Sequence, residues 1–381
     1  MRLDWRQAFV LLLIMLCGAA PARAEAPDVD WEPAHTHLFA VGVLEWQRED
    51  VFDSFPQNKR NRRDDQLVDC FRQAGVPDKQ IRYLKDRQAT KARIVAEFTQ
   101  LLDHAGEDDL LIFYFCGHGY RDRESGQAWL ANYDASKDDD TGWPMPEILD
   151  LIERRFRGNR ALLLVDSCHS GAICDEAASR DQKRVNYAIL TSSCTHDNAS
   201  SHWTYTDCLL TGLRGGEQAD LDENGQIDLG ELARYTELEL AFVEEHKSMF
   251  VTTGEFDELT RLSTVKSRTS TGAGRRVEVY SDDQWFRAKV VTTQGTMTRV
   301  HFVDFDDSYD EWAQPDKIRA YQPPQYAEGD KVFARWHNED EWFPATVRQS
   351  FYGMSLVHYE EDNDEMEDEW LDRRAVRLRL P

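Results

Sequence analysis

Short apolar runs alternate with amphipathic segments along the first two thirds of the chain. The runs at 110–116 and 162–165 contain no charged residue. Runs of that kind read as strands of a parallel sheet, buried on both faces. Residues 37–46, 81–84 and 185–191 read as further strands. Between them, Leu67, Val68 and Phe71 take helical spacing over 64–74, and Gly75 supplies the stop. Thr90 can cap a helix reaching to about 104, and another is expected over 144–156. Strands alternating with helices predict an α/β fold, a mostly parallel sheet flanked by helices, over residues 35–262.

The pattern changes after residue 262. Residues 263–274 are rich in Ser, Thr, Gly and basic side chains and read as a linker. Beyond them the chain alternates in the all-β manner and repeats itself. The string W-F-R-A-K-V at 285–290 recurs as W-F-P-A-T-V at 342–347, V-H-F at 300–302 as V-H-Y at 357–359, and D-E-W at 310–312 again at 368–370. This self-similarity predicts two small β-barrels, 275–321 and 328–378.

Charge and the N-terminus narrow the setting. The 381 residues carry a formal net charge of −25. Such a body repels phosphate backbones, which argues against nucleic acid and favours cations and basic peptides. Arg2 and Arg6 precede an apolar run over 8–20, and Ala22-Arg23-Ala24 offers a small-residue cleavage site. Residues 1–24 therefore read as a signal peptide cleaved near Ala24, giving an exported product, periplasmic or secreted, with no membrane span. Cys17 leaves with it; Cys70, Cys116, Cys168, Cys174, Cys194 and Cys208 remain, and an exported setting permits disulfides. Their spacing assigns no pairing.

Chemistry gathers at two strand ends. The apolar runs stop at Cys116-Gly117-His118-Gly119 and at Asp166-Ser167-Cys168-His169-Ser170-Gly171. Open α/β sheets place their sites at those carboxyl ends, so neighbouring strands would bring a thiol and an imidazole together. Cys168 is the candidate nucleophile and His118 its proton shuttle, with backbone N–H groups at Gly119 and Cys168 as oxyanion donors. His169 is expected to point away. Asp166 lies two residues before Cys168, on the same strand face.

These paired motifs resemble the caspase-like cysteine peptidases, most closely the metacaspases and bacterial caspase-family proteins. The order His before Cys at a separation of fifty residues agrees. Cys116 stands where metacaspases usually have Ser. The resemblance implies an endopeptidase acting on protein or peptide substrates. It also implies cleavage after Arg or Lys, with Asp166 binding the basic side chain. A second pocket carboxylate would come from the first helix, where Asp64 and Asp65 stand, Asp65 being the one carried forward. Self-cleavage after Arg180, Lys183 or Arg184 is a further implication. Competing readings are a catalytically silent scaffold of the same fold, or a legumain-like transpeptidase.

Residues 220–231 match the twelve-residue EF-hand loop: Asp220, Asp222 and Asn224 at positions one, three and five, Gly225 at six, Gln226 at seven, Asp228 at nine and Glu231 at twelve. Ca2+ is the expected cofactor, in a structural role, and no organic cofactor is expected. The two repeats resemble Tudor and agenet modules, which implies a protein partner. Aromatic-cage candidates are Trp285, Phe302, Phe305, Trp312, Trp342, Tyr359 and Trp370, unless these rings fill the barrel cores.

Overall fold

The computed structural model describes residues 30–122, 125–136, 141–181, 184–194, 202–268, 271–323, 325–336, 341–360 and 368–379. The signal-like segment, Lys183 and most of the acidic stretch at 360–369 lie outside these residues.

The first unit runs β1 (Thr36–Gly42), α1 (Pro56–Arg60), α2 (Arg63–Ala74), β2 (Ile81–Lys85), α3 (Lys91–His104) and β3 (Leu110–Cys116). A small three-stranded sheet follows, β4 (Gly119–Arg121), β5 (Ala128–Leu130) and β6 (Trp143–Pro144). Then come α4 (Met145–Arg155), β7 (Arg160–Asp166), α5 (Ala172–Ser179), β8 (Asn186–Thr191) and α6 (Thr204–Leu213). The unit closes with β9 (Gln226–Asp228), α7 (Leu229–Val243), β10 (Met249–Thr252) and β11 (Arg261–Thr264).

The main sheet has the order β10-β8-β7-β3-β1-β2. All pairs are parallel except β10 against β8. β1 and β3 are buried at every residue, which is why their sequences are apolar throughout rather than alternating. One face packs Phe39, Phe113 and Leu163 against Phe98 of α3 and Ile148 of α4. The other packs Leu38, Ile112 and Leu164 against Leu67 and Phe71 of α2, Leu209 of α6 and Leu232 of α7. The fold is a layered α/β structure, a mostly parallel sheet between two layers of helices.

The first strand is shorter than its apolar pattern suggests. It ends at Gly42, and Leu44 beyond it lines the cleft described below. The stretch read as linker is also partly built. β11 pairs antiparallel with β9, and Val265 N–H donates to the Gly225 carbonyl at 3.0 Å.

Two five-stranded antiparallel sheets follow. The first contains β12 (Arg276–Ser281), β13 (Gln284–Gln294), β14 (Met297–Phe302), β15 (Glu311–Ala313) and β16 (Ile318–Ala320). The second contains β17 (Lys331–Arg335), β18 (Trp342–Phe351), β19 (Met354–Tyr359), β20 (Glu369–Leu371) and β21 (Val376–Leu378). Both have the same strand order, and both long strands carry a register shift at the same place, after Val290 and after Val347. A bulge there bends the long strand so that its two halves serve opposite sides of a small barrel-like core. Val277, Val290 and Val300 fill one core, and Val332, Val347 and Val357 the other.

Both small units dock on α7. Buried Glu239 pairs with Arg276 at 2.7 Å and with Lys289. Glu245, just past the helix, accepts from Arg287 at 3.2 Å in the first unit and from Arg374 at 2.5 Å in the second. Phe242 meets Tyr321 edge-on at 4.8 Å. Removing a buried carboxylate strands two cations, so Glu239→Ala is expected to lower unfolding stability by about 3 kcal/mol. Denaturant melts of the full chain check this.

Candidate active site

Strand register sets the site. β3 and β7 are parallel neighbours, and Cys116 stands opposite Asp166 at their last pair. Beyond that pair both chains turn out of the sheet. Gly117 N–H donates to the Asp166 carbonyl at 3.1 Å, bridging the two turns. Gly117 sits at φ 150°, where a Cβ would fall 2.8 Å from the Val43 carbonyl oxygen, so the turn requires glycine. His118 and Cys168 emerge on adjoining sides of one cleft, which Asp166, Cys116 and Trp203 also line.

His118 is held by its surroundings. Its ring lies between Trp46 and Phe55, each at 4.5 Å, with Phe52 at 5.5 Å. Nε2 lies 2.9 Å from the Asp53 carbonyl oxygen. A carbonyl can only accept, so Nε2 carries the proton and Nδ1 of the neutral ring carries the lone pair. This is the tautomer a general base needs. Sequence reading missed the carbonyl, because a backbone acceptor has no residue signature.

The nucleophile loop is clamped from β8. Ser193 Oγ donates to the Ser167 carbonyl at 2.9 Å and accepts from Ser170 N–H at 3.2 Å. Gly119 packs backbone to backbone against Cys168; a Cβ there would lie 2.1 Å from the Cys168 carbonyl oxygen. Gly119 thus supports the Cys168 turn and is not among the residues lining the cleft, whereas Gly117 and His118 are. His169 takes φ 56°, turns the chain into α5 and is not among the residues lining the cleft.

Asp166 is buried and accepts from Thr206 Oγ1 at 2.8 Å. Burial pushes its carboxyl up to about 7, opposed by the hydrogen bonds from Thr206 and Ser192. No ion pair reaches it among the described residues. Asp65 corrects the expectation drawn for it: its carboxylate pairs with Lys85 at 2.9 Å and lies outside the cleft lining. The reason is helical geometry, since neighbours on α2 point about 100° apart. Asp64 is the inward-facing one, fully buried beneath Gly42. Its charge is balanced by Arg62 at 2.6 Å, and that guanidinium also reaches Asp86 at 2.7 Å.

Arg180 and Arg184, in the loop after the nucleophile, are anchored too. Arg180 pairs with Glu176 and Asp150, both at 2.9 Å. Arg184 donates to the Gly158 and Phe156 carbonyls past the end of α4. Cleavage after either would first have to break these contacts. Trp203 was not foreseen: its indole N–H is buried, faces no acceptor among the described residues, and belongs to a ring lining the cleft.

A family model for the metacaspase peptidase C14 domain matches residues 71–177, a span containing both His118 and Cys168. Metacaspase-7 of Arabidopsis thaliana is 27% identical over 208 residues, 47% of each chain. The portion that holds the cleft is similar to metacaspase peptidase domains. The chain spans about half the length of that curated relative. Among solved structures, caspase-1 of Spodoptera frugiperda is 15% identical, covering 65% of this chain and 98% of its own, with a TM-score of 0.41. The tandem Agenet domain 3-4 of ADCP1 is 25% identical, covering 29% of this chain and 80% of its own, with a TM-score of 0.14.

Outside the metacaspase-like cleft, carboxylate oxygens of Asp220, Asp222 and Glu231 lie within 4.8 Å of one another. Gly225 makes its turn at φ 87°, and its N–H donates to Asp220 Oδ2 at 3.0 Å. Asp220 Oδ1 is buried with no partner. Glu231 Oε1 accepts from Leu221 and Asp222 N–H, and Asp228 caps α7 in a reciprocal capping box with Glu231. Asn224 folds back on Asp222, and the Gln226 side chain accepts from Arg261. An oxygen-only donor set with an orphaned carboxylate oxygen fits a hard cation such as Ca2+.

The cage candidates divide. Phe302 and Tyr359 are buried in the barrel cores, which corrects their reading as cage walls. Trp285 and Trp342 already carry Arg319 and Arg377, each 4.0 Å from the ring centroid. Trp370 faces Lys247 at 5.4 Å. Trp312 is exposed, as are Phe305 and Tyr309, whose rings lie 5.3 Å apart.

All six described cysteines lack disulfides, and Cys168 alone is not buried. Iodoacetamide is therefore expected to modify Cys168 first, and Cys168→Ala should abolish the fast phase seen by peptide mass mapping. Asp166 yields a stability prediction. Its folded value, about 7, stands above the ordinary carboxylate value of 3.8, so its protonation favours the native state below about 4. That contribution is lost as pH rises through about 7. Asp166→Asn should raise the melting temperature at pH 8 and leave it nearly unchanged near pH 4.

Proposed function

We propose that this chain is an exported cysteine endopeptidase that cleaves after Arg or Lys. The observation that carries the reading is the convergence of His118 and Cys168 on one cleft above the buried carboxyl of Asp166. In this reading His118 Nδ1 takes the Cys168 proton, and the thiolate attacks the scissile carbonyl. The imidazolium then protonates the departing amine, and water, deprotonated by His118, hydrolyses the thioester. Asp166 selects a basic side chain because a cation lowers the cost of ionising a buried carboxyl. The Trp203 ring adds an aromatic wall to this cleft.

The remaining assignments are of the same standing. Export rests on the signal-like segment. The EF-hand-type loop, through Asp220, Asp222, Asn224, Gln226, Asp228 and Glu231, would bind Ca2+ and hold the base of α7 in place. The exposed aromatic and acidic surface around Phe305, Tyr309 and Trp312 suits a basic peptide of a partner protein.

Fluorogenic peptides ending in Arg, Lys, citrulline or Asp test the main reading. Cys168→Ala and His118→Ala should each lower kcat by at least about a thousandfold. Asp166→Asn should cost Arg and Lys substrates about a hundredfold in kcat/KM while sparing citrulline. In the wild type, the Arg-to-citrulline ratio of kcat/KM should climb as pH rises through about 7, as Asp166 ionises. Turnover after Asp would refute the specificity, and no turnover with no labelling by a thiol-reactive peptide would favour the silent scaffold.

A further inference from the structure

The structure assigns a tethered competitor to the EF-hand-type loop: we infer that Arg268 of the connecting segment is its resident cation, which Ca2+ must displace. The inference rests on the calcium reading above and adds a regulatory consequence to it.

Arg268 donates to Asp220 Oδ2. Asp220 occupies the first position of the loop, and its side chain is fully buried. The other oxygen, Oδ1, is buried without a partner. One carboxylate thus presents one oxygen to a guanidinium and holds the second for a ligand. With Asp222 and Glu231 nearby, the carboxylates repel one another, and among the described residues Arg268 is the cation paired with them.

Ca2+ would bring two charges and gather oxygens from the whole loop. A metal on Oδ1 and a guanidinium on Oδ2 would stand within about 5 Å and repel strongly at so buried a carboxylate. Arg268 is the partner able to leave. Its side chain is 46% exposed and rides on a segment that can hand it to water at little cost.

The release would not stay local. The same segment is pinned to the loop by β11 on β9 and by Val265 N–H on the Gly225 carbonyl, and to the turn after α6 by Lys266 N–H on the Gly215 carbonyl at 3.2 Å. On the other side the loop runs straight into α7, whose Glu239 and the following Glu245 hold both barrels. Metal binding would therefore trade one anchor of the connecting segment for a firmer base under α7. Calcium concentration would set how tightly the barrels are tied to the peptidase unit.

Calcium titration calorimetry on the full chain in a Cys168→Ala background, which removes self-cleavage, tests this. Arg268→Gln should tighten Ca2+ binding by about tenfold, and Arg268→Lys should stay within about threefold of the parent. Glu231→Gln should abolish binding. Hydrogen exchange should show residues 266–274 exchanging faster with Ca2+ and residues 220–231 exchanging more slowly. Binding that is equally tight in the parent and Arg268→Gln, with no change at 266–274, would overturn the competitor while leaving the calcium reading intact. No binding by the parent or by Arg268→Gln at millimolar Ca2+ would overturn the calcium reading and this inference with it.

Discussion

The site depends on one register: Cys116 opposite Asp166 at the end of two parallel strands. A slip of one residue would turn every side chain of β7 to the other face. β3 and β7 are buried on both faces, so a slip would force differently shaped side chains into two close-packed layers. The Gly117–Asp166 bond then joins the two turns, and the bare α-carbon of Gly119 lets the Cys168 turn close on it. The position of the thiol relative to the imidazole is thus a property of the sheet.

Around that register the environment divides the charged groups by task. Asp64 and Asp166 are both buried carboxylates near Cys116, yet only Asp64 is given a guanidinium. Asp166 is left with hydrogen bonds alone and holds its proton to about pH 7. The pairing on α7 is of the first kind. Glu239 and Glu245 are matched by five cations of the barrels, Arg276, Lys289, Arg287, Arg373 and Arg374. Buried charge with partners fastens the units together; buried charge without them waits for a ligand.

The strands and helices of the α/β unit were legible because burial leaves a plain record: charge-free runs at 110–116 and 162–165, and three-four spacing at Leu67, Val68 and Phe71. The repeats were legible because the chain states them twice. What stayed hidden had no residue signature. The Asp53 carbonyl behind His118 is backbone. The difference between Asp64 and Asp65 is about 100° of helical rotation, which a boundary error of one residue erases. Phe302 and Tyr359 share their composition with cage aromatics, and only the three-dimensional core decides against them. Arg268 lay in a stretch whose Ser, Thr and Gly content concealed a strand and an anchoring ion pair.

The pairing of β11 with β9 bears on how this protein can be taken apart. A peptidase fragment cut at residue 262 would lose Ser263 and Thr264, which pair with Ile227 and Gln226. It would also lose the Val265 bond to Gly225 and the Ser263 hydroxyl donated to the Gly212 carbonyl at 2.5 Å. Such a piece would keep every catalytic candidate and yet leave an open edge beside α6 and α7. The smallest autonomous piece therefore extends into the segment that composition marks as a spacer, and the covalent boundary of the module lies several residues beyond its compositional one.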